Sequence, residues 1–157
     1  DERLSPALVR GRASDMTEFA SPFLADAAFE AGSVFAADWP LCQVRLQDDA
    51  RFPWLILLPR VAGAVELDDL TAEQRAVLME EMVRAGEVVR ALGQATGRPI
   101  DKLNTAALGN VTRQLHVHVV GRRRDDGLWP DPIWGRPGAV RLPEADREVL
   151  LRAIREA

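Results

Sequence analysis

This chain is short of several things, and each shortage excludes something. Its single cysteine, Cys42, rules out an internal disulfide and fits a reducing compartment. Positive charge is not in excess. With 20 basic against 24 acidic residues the formal net charge is −4, which argues against a nucleic acid as partner. No apolar run approaches the roughly 20 residues that span a bilayer, so no membrane partner is expected. Asp1-Glu2-Arg3 leads into no sustained apolar stretch, so no signal peptide is expected and the cytoplasm is the expected compartment. Repeats and low-complexity tracts are missing too. What remains, 157 residues with 47% hydrophobic and 28% charged content, is the composition of one globular domain able to bury a core.

Residues 1–15 (DERLSPALVRGRASD) are polar, arginine-containing and aperiodic, and Met16 follows them. They are expected to be a leader or an expression-derived segment ahead of a single domain at 16–157. In residues 17–40 small residues and phenylalanines alternate with acids, suggesting short helical or irregular packing over the domain edge. Residues 41–47 alternate, with Cys42, Val44 and Leu46 on one face of a half-buried strand. A polar break at 48–53 makes a hairpin to the apolar strand 54–58, which Pro59 ends. Thr71 followed by Gln74 is a capping-box pattern. It opens a helix to about Leu92, with Val77, Leu78, Met82, Ala85, Val88, Val89 and Leu92 as its core stripe and Gly93 or Gly97 to stop it. Residues 102–108 read as a strand. Residues 122–126 read as a solvated charge run, 129–138 as an extended, proline-rich tail, and 142–156 as a helix with Pro143 in its first turn. Antiparallel strands around one long helix make an α+β domain.

Both histidines of the chain lie in Gln114-Leu115-His116-Val117-His118-Val119-Val120. On a strand, alternate side chains share a face. Gln114, His116 and His118 therefore face one way, and Leu115, Val117 and Val119 face a core. Imidazole serves as nucleophile, proton carrier or metal ligand. A pair two apart can also bind one ion, but catalytic zinc usually takes three protein ligands, there is no third histidine, and Cys42 lies on a distant segment. Nucleophilic or phosphate-handling histidines are the preferred reading, with filling of a half-buried strand as the bland one.

The stretch resembles the signature of the histidine triad (HIT) superfamily of nucleotide hydrolases and transferases, His-φ-His-φ-His-φ-φ with φ apolar. Gln114 stands at the first histidine, and His116 and His118 match the second and third. Residues 103–110 (LNTAALGN) and 52–59 (FPWLILLP) resemble a bacterial branch that carries Gln-x-His-x-His. The resemblance covers residues 41–134. It implies an antiparallel sheet of about five strands with a long central helix and a C-terminal helix. It also implies action on a purine nucleotide at the α-phosphate, no metal or other cofactor, and a homodimer.

Under that resemblance His116 is the nucleophile, its second ring nitrogen held by a backbone carbonyl near position 114. His118 donates to a phosphate oxygen, and Gln114 donates to the leaving-group oxygen without acting as an acid. Asn104 falls near the phosphates. The Gly109 turn allows main-chain N–H groups to face an anion, with Asn110 and Thr112 as side-chain donors. Asp48 and Asp49 are candidates for the ribose hydroxyls. For Asn110 a plain connection, and for Asp48 and Asp49 a solvent-facing turn, are equally open. Two other functions remain: a nucleotide-binding module with little turnover, since Trp54 stands where some relatives carry another histidine, and a metal-dependent hydrolase using His116 and His118. The tail tryptophans, Trp129 and Trp134, are expected near a nucleotide pocket or a dimer contact.

Overall fold

Alternating and continuously apolar segments pair into one five-stranded antiparallel sheet, ordered β1-β2-β3-β5-β4. The structure is a computed structural model describing residues 22–157, and the leader expected at 1–15 lies outside them. The strands are β1 (Ser33–Asp38), β2 (Cys42–Gln47), β3 (Trp54–Pro59), β4 (Lys102–Ala106) and β5 (Val117–Arg122). A single helical turn, α1 (Phe29–Gly32), precedes β1, and the long α2 (Ala72–Ala95) links β3 to β4. A last helix, α3 (Glu144–Arg155), closes the chain. The α+β architecture is as expected, and among the described residues no helix is long and apolar enough to cross a membrane.

β3 is apolar throughout because both of its faces are covered, and all six of its residues are buried. One face of the central strands, with Leu55, Leu57, Leu115, Val117 and Val119, packs on Leu78, Ala85, Val89 and Leu92 of α2 and on Leu150 and Ile154 of α3. The opposite face, with Trp54, Ile56, Leu58 and Val120, is covered by Phe29, Phe52 and Ile133, with Leu128 and Trp134 at its border. The proline-rich tail thus takes the place of a second helical layer.

Thr71 caps α2 as its sequence indicates: its hydroxyl accepts from the Gln74 N–H at 3.1 Å, and the Gln74 amide accepts from the Thr71 N–H at 2.8 Å. The helix continues through Gly93 to Ala95, and Gly97, at φ +69°, turns the chain out of it. Glu81, buried on α2, accepts the main-chain N–H groups of Leu41 and Cys42 at 2.8 and 2.9 Å, fixing the helix to the start of β2.

Four expectations need correction. Residues 33–38 form a strand, not irregular packing; a register shift between Phe35 and Ala37 interrupts the period-two pattern that would have revealed it. The histidine strand starts regular pairing only at Val117, so Gln114 and His116 lie on its lead-in. Val77 is 39% exposed and lies off the helix's core stripe.

The fourth is the charge run. Arg122 and Asp126 form a buried ion pair, each side chain 1% exposed. Arg122 Nε and Nη2 donate to the carboxylate at 2.7 and 3.2 Å, and Nη1 donates to Asn104 Oδ1 and to the Asp131 carbonyl. Asp126 accepts further from the main-chain N–H groups of Arg123, Leu128 and Trp129. Burial pushes its carboxyl up, but the hydrogen bonds from Arg122 and the main chain outweigh that and hold it down at about 2. This pair anchors the tail to β5 and β4. Asp126→Ala strands a buried guanidinium and is expected to cost about 3–5 kcal/mol of stability by urea unfolding. A loss below about 1 kcal/mol would show that the tail is held by its apolar contacts alone.

Candidate active site

The β3–β5 pairing sets Ile56 opposite His118 and Trp54 opposite Val120. β4 sets Ala106 opposite His118 and Asn104 opposite Val120. Directly paired residues share a face, so the histidines, Trp54 and Asn104 stand together on the face away from α2.

His116 is 7% exposed. Its Nδ1 lies 2.6 Å from the carbonyl oxygen of Gln114. A carbonyl only accepts, so Nδ1 carries a proton, and in the neutral ring the lone pair is on Nε2. The ring of Phe29 meets the His116 ring edge-on with centroids 4.9 Å apart. His118 follows with its ring 5.0 Å away at 76°, between the rings of Trp54 and Trp134 at 5.6 and 5.7 Å. The Trp54 indole Nε1 donates to His118 Nδ1 at 3.0 Å. Burial, with the neighbouring His116, lowers the His118 pKa to about 4, so this ring is neutral at physiological pH. Trp134 Nε1 is buried without a hydrogen-bond partner among the described residues.

Gln114 contributes two things to two places. Its main-chain carbonyl holds His116, while its side-chain amide bonds elsewhere, donating to the Leu24 carbonyl and accepting from the Asp26 N–H, both at 2.8 Å. It thereby pins residues 24–26, from which the chain enters α1 and places Phe29 on His116.

Asn104 shares the histidine face and gives its carbonyl to Arg122 at 3.1 Å. Gly109 turns the chain at φ +67°, with Asn110 exposed and Thr112 half-buried on the loop that leads into His116. Asp48 and Asp49 lie on the turn between β2 and β3. Asp49, 2% exposed, holds the Arg51 side chain through paired contacts of 2.8 to 3.3 Å. Asp48 accepts the Leu142 N–H at 2.8 Å. The two carboxylates tie the β2–β3 turn to the segment before α3, and neither bonds to a histidine. A cleft of about 390 Å³ beside them is lined by Asp49, Arg51, Leu92, Arg98 and Val149, again with no histidine.

Cys42 is fully buried, and burial together with Glu81 pushes its thiol far above the ordinary range, so it offers no thiolate. Among the described residues no three His, Cys, Asp or Glu side chains gather as a metal site. What the sequence reading missed is the ring of supports: Phe29, the Trp54 indole as a donor, and the clamp on residues 24–26. Only Trp54 had a signal, its same-face placement across from β5, and that requires the register to be known.

The HIT domain profile matches residues 28–125. None of the curated proteins matches the chain. Among solved structures, a histidine triad protein from Bradyrhizobium japonicum is 36% identical, with 87% of this chain and 98% of that one covered and a TM-score of 0.78. One from Sinorhizobium meliloti is 40% identical over 85% and 96% of the two chains, TM-score 0.76. One from Marinobacter aquaeolei is 31% identical over 87% and 96%, TM-score 0.74. The chain belongs to the histidine triad (HIT) family.

Proposed function

We propose that the chain is a nucleotidyl hydrolase or transferase that cleaves at the α-phosphate of a purine nucleotide derivative through a covalent nucleotidyl-histidine. Family membership supports nucleotide binding and hydrolase-type chemistry in general. The observation that carries the finer reading is the 2.6 Å contact between His116 Nδ1 and the Gln114 carbonyl, which leaves Nε2 as a free nucleophile.

In the first step His116 Nε2 forms a bond to the α-phosphorus while the bond to the leaving group breaks. The positive charge this puts on the ring is stabilised by Nδ1–H donating to the carbonyl. His118 donates to a non-bridging oxygen. The leaving group takes its proton from water, since the amide of Gln114 cannot act as the acid that a first histidine would supply. Water then attacks phosphorus, the P–N bond breaks, the proton of the attacking water passes to solvent, and His116 is regenerated. Good leaving groups are favoured accordingly. Trp134, beside His118, borders the nucleotide pocket in this reading. The homodimer expected from the family is proposed to form through α2, where Met79 and Val83 are exposed four residues apart, and the edge strand β4.

A binding module with little turnover is the second reading, favoured by the commitment of the Gln114 amide to residues 24–26. Single-turnover mixing with a nucleotide labelled at the α-phosphate, followed by denaturation, separates the two. Label retained on wild-type protein and lost in His116→Ala supports the covalent path. Bound nucleotide with neither label nor product supports the module. His116→Ala is expected to lower turnover by about a thousandfold or more while nucleotide binding stays measurable. A variant keeping more than about a tenth of the wild-type rate removes His116 as nucleophile.

The neutral state of His118 has a stability consequence. The unfolded chain protonates this ring near its ordinary 6.5 and the folded one only near 4. Between those values the unfolded state holds the extra proton. The contribution is therefore complete above 6.5 and is lost as pH falls to 4, by about 3 kcal/mol. Denaturation of wild type and His118→Asn at pH 7 and near pH 4 checks this. Wild type is expected to lose more stability than the variant on acidification, and equal losses would place the titration on other groups.

A further inference from the structure

We infer that Trp54 is a positioning residue that holds His118 in the tautomer protonated at Nε2, and so fixes which ring nitrogen of His118 faces a ligand as a donor. The inference rests on the phosphate-binding role proposed for His118, but its structural half stands without it.

The hydrogen-bonding polarity of the partners decides the tautomer. An indole N–H donates and has no lone pair to accept with. Trp54 Nε1 is 3.0 Å from His118 Nδ1, so Nδ1 must be the accepting nitrogen and the single proton of the neutral ring lies on Nε2. Moving the proton to Nδ1 would set two N–H groups against each other and leave the buried indole unpaired, which disfavours that tautomer. His116, two residues earlier, meets a partner of opposite polarity. The Gln114 carbonyl at 2.6 Å can only accept, so His116 carries its proton on Nδ1. In their neutral forms the two imidazoles thus take opposite tautomers: His116, on the lead-in to β5, with a lone pair at Nε2, and His118, on β5, with an N–H at Nε2. That is the complement a nucleophile and an oxyanion donor need on one phosphate.

The placement of Trp54 is a consequence of register. It pairs with Val120 across β3 and β5, so its long side chain reaches His118 diagonally on the same face. It is 8% exposed, in the cluster with Ile56, Leu58 and Val120, and its ring also crosses that of His118 at 61°. Trp134 packs on the His118 ring at 62°. The ring plane and the proton position are thus set by different contacts, and among the described residues Trp54 supplies the second. A tryptophan that merely filled this cluster would have no effect on where the proton sits.

Nitrogen-15 NMR of the intact chain tests this directly, because two histidines give few imidazole signals and His116→Asn assigns them. In wild type without ligand, at neutral pH, His118 is expected to show a protonated Nε2 and an unprotonated Nδ1, and His116 the reverse. A nitrogen–nitrogen coupling across the hydrogen bond from Trp54 Nε1–H to His118 Nδ1 is expected as well. Trp54→Phe keeps an aromatic ring in the cluster and should move the His118 nitrogens toward the average of a tautomer mixture, with His116 unchanged. In the same variant kcat is expected to fall about tenfold or more, with KM changed by less than about twofold. Wild-type His118 protonated on Nδ1 overturns the inference even if the variant does not fold. Unchanged His118 shifts in folded Trp54→Phe overturn it too, as does an unchanged kcat once the tautomer has shifted. Opposite tautomers together with no covalent label and no turnover would instead remove the proposed reaction and leave the tautomer assignment in place.

Discussion

The register between β3 and β5 is the constraint on which the site depends. Side chains on a strand alternate between faces, so sliding β5 by one residue against its neighbours would turn His116 and His118 into the helix-packed core and Val117 and Val119 out of it. The register is held from both sides. Leu115, Val117 and Val119 are buried against α2, and β5 lies between β3 and β4 with no free edge. The imidazoles are consequently mounted on a central strand whose position is set by apolar packing on the far face. The chemistry borrows its precision from a core it does not touch.

That arrangement explains why the architecture was legible and its details were not. The capping box at Thr71, the apolar run of β3 and the alternation of β5 are local patterns, and local patterns survive in a sequence. β1 was not legible because its register shift breaks the period and because Phe35 points outward at 44% exposure. The run from Arg122 to Asp126 misled for a different reason. Charged residues in succession are usually solvated, and only the fold shows that the first and last of them bury against each other while Arg124 and Asp125 remain in water. Asp48 and Asp49 read equally as ribose-binding carboxylates and as a solvent-facing turn. Their actual partners, Arg51, Val140 and Leu142, include two that lie about ninety positions away in the chain.

In the site, the two histidines were legible as a pair from their spacing, and their supports were not. A hydrogen bond to a main-chain carbonyl leaves no trace in residue identity, because every residue has one. The same fact makes position 114 tolerant. Whatever side chain stands there, its carbonyl can hold His116, and the glutamine amide is released for another use: joining residues 24–26 to the lead-in of β5.

The clamp and the tail act on the pair from opposite ends of the chain. Gln114 brings in the segment that carries Phe29 onto His116, and the Arg122–Asp126 pair brings in the tail that carries Trp134 onto His118. Each ring is therefore packed by a residue remote in sequence and oriented by a partner delivered through the sheet, the carbonyl of Gln114 for one and the indole of Trp54 for the other. The rings lie 5.0 Å apart, and the burial that lowers the His118 pKa keeps that ring neutral, so it does not repel its neighbour as a second imidazolium would. Burial here does more than exclude water. It leaves His118 with one proton, and the hydrogen-bond partner of each ring decides which nitrogen carries the proton when the ring is neutral.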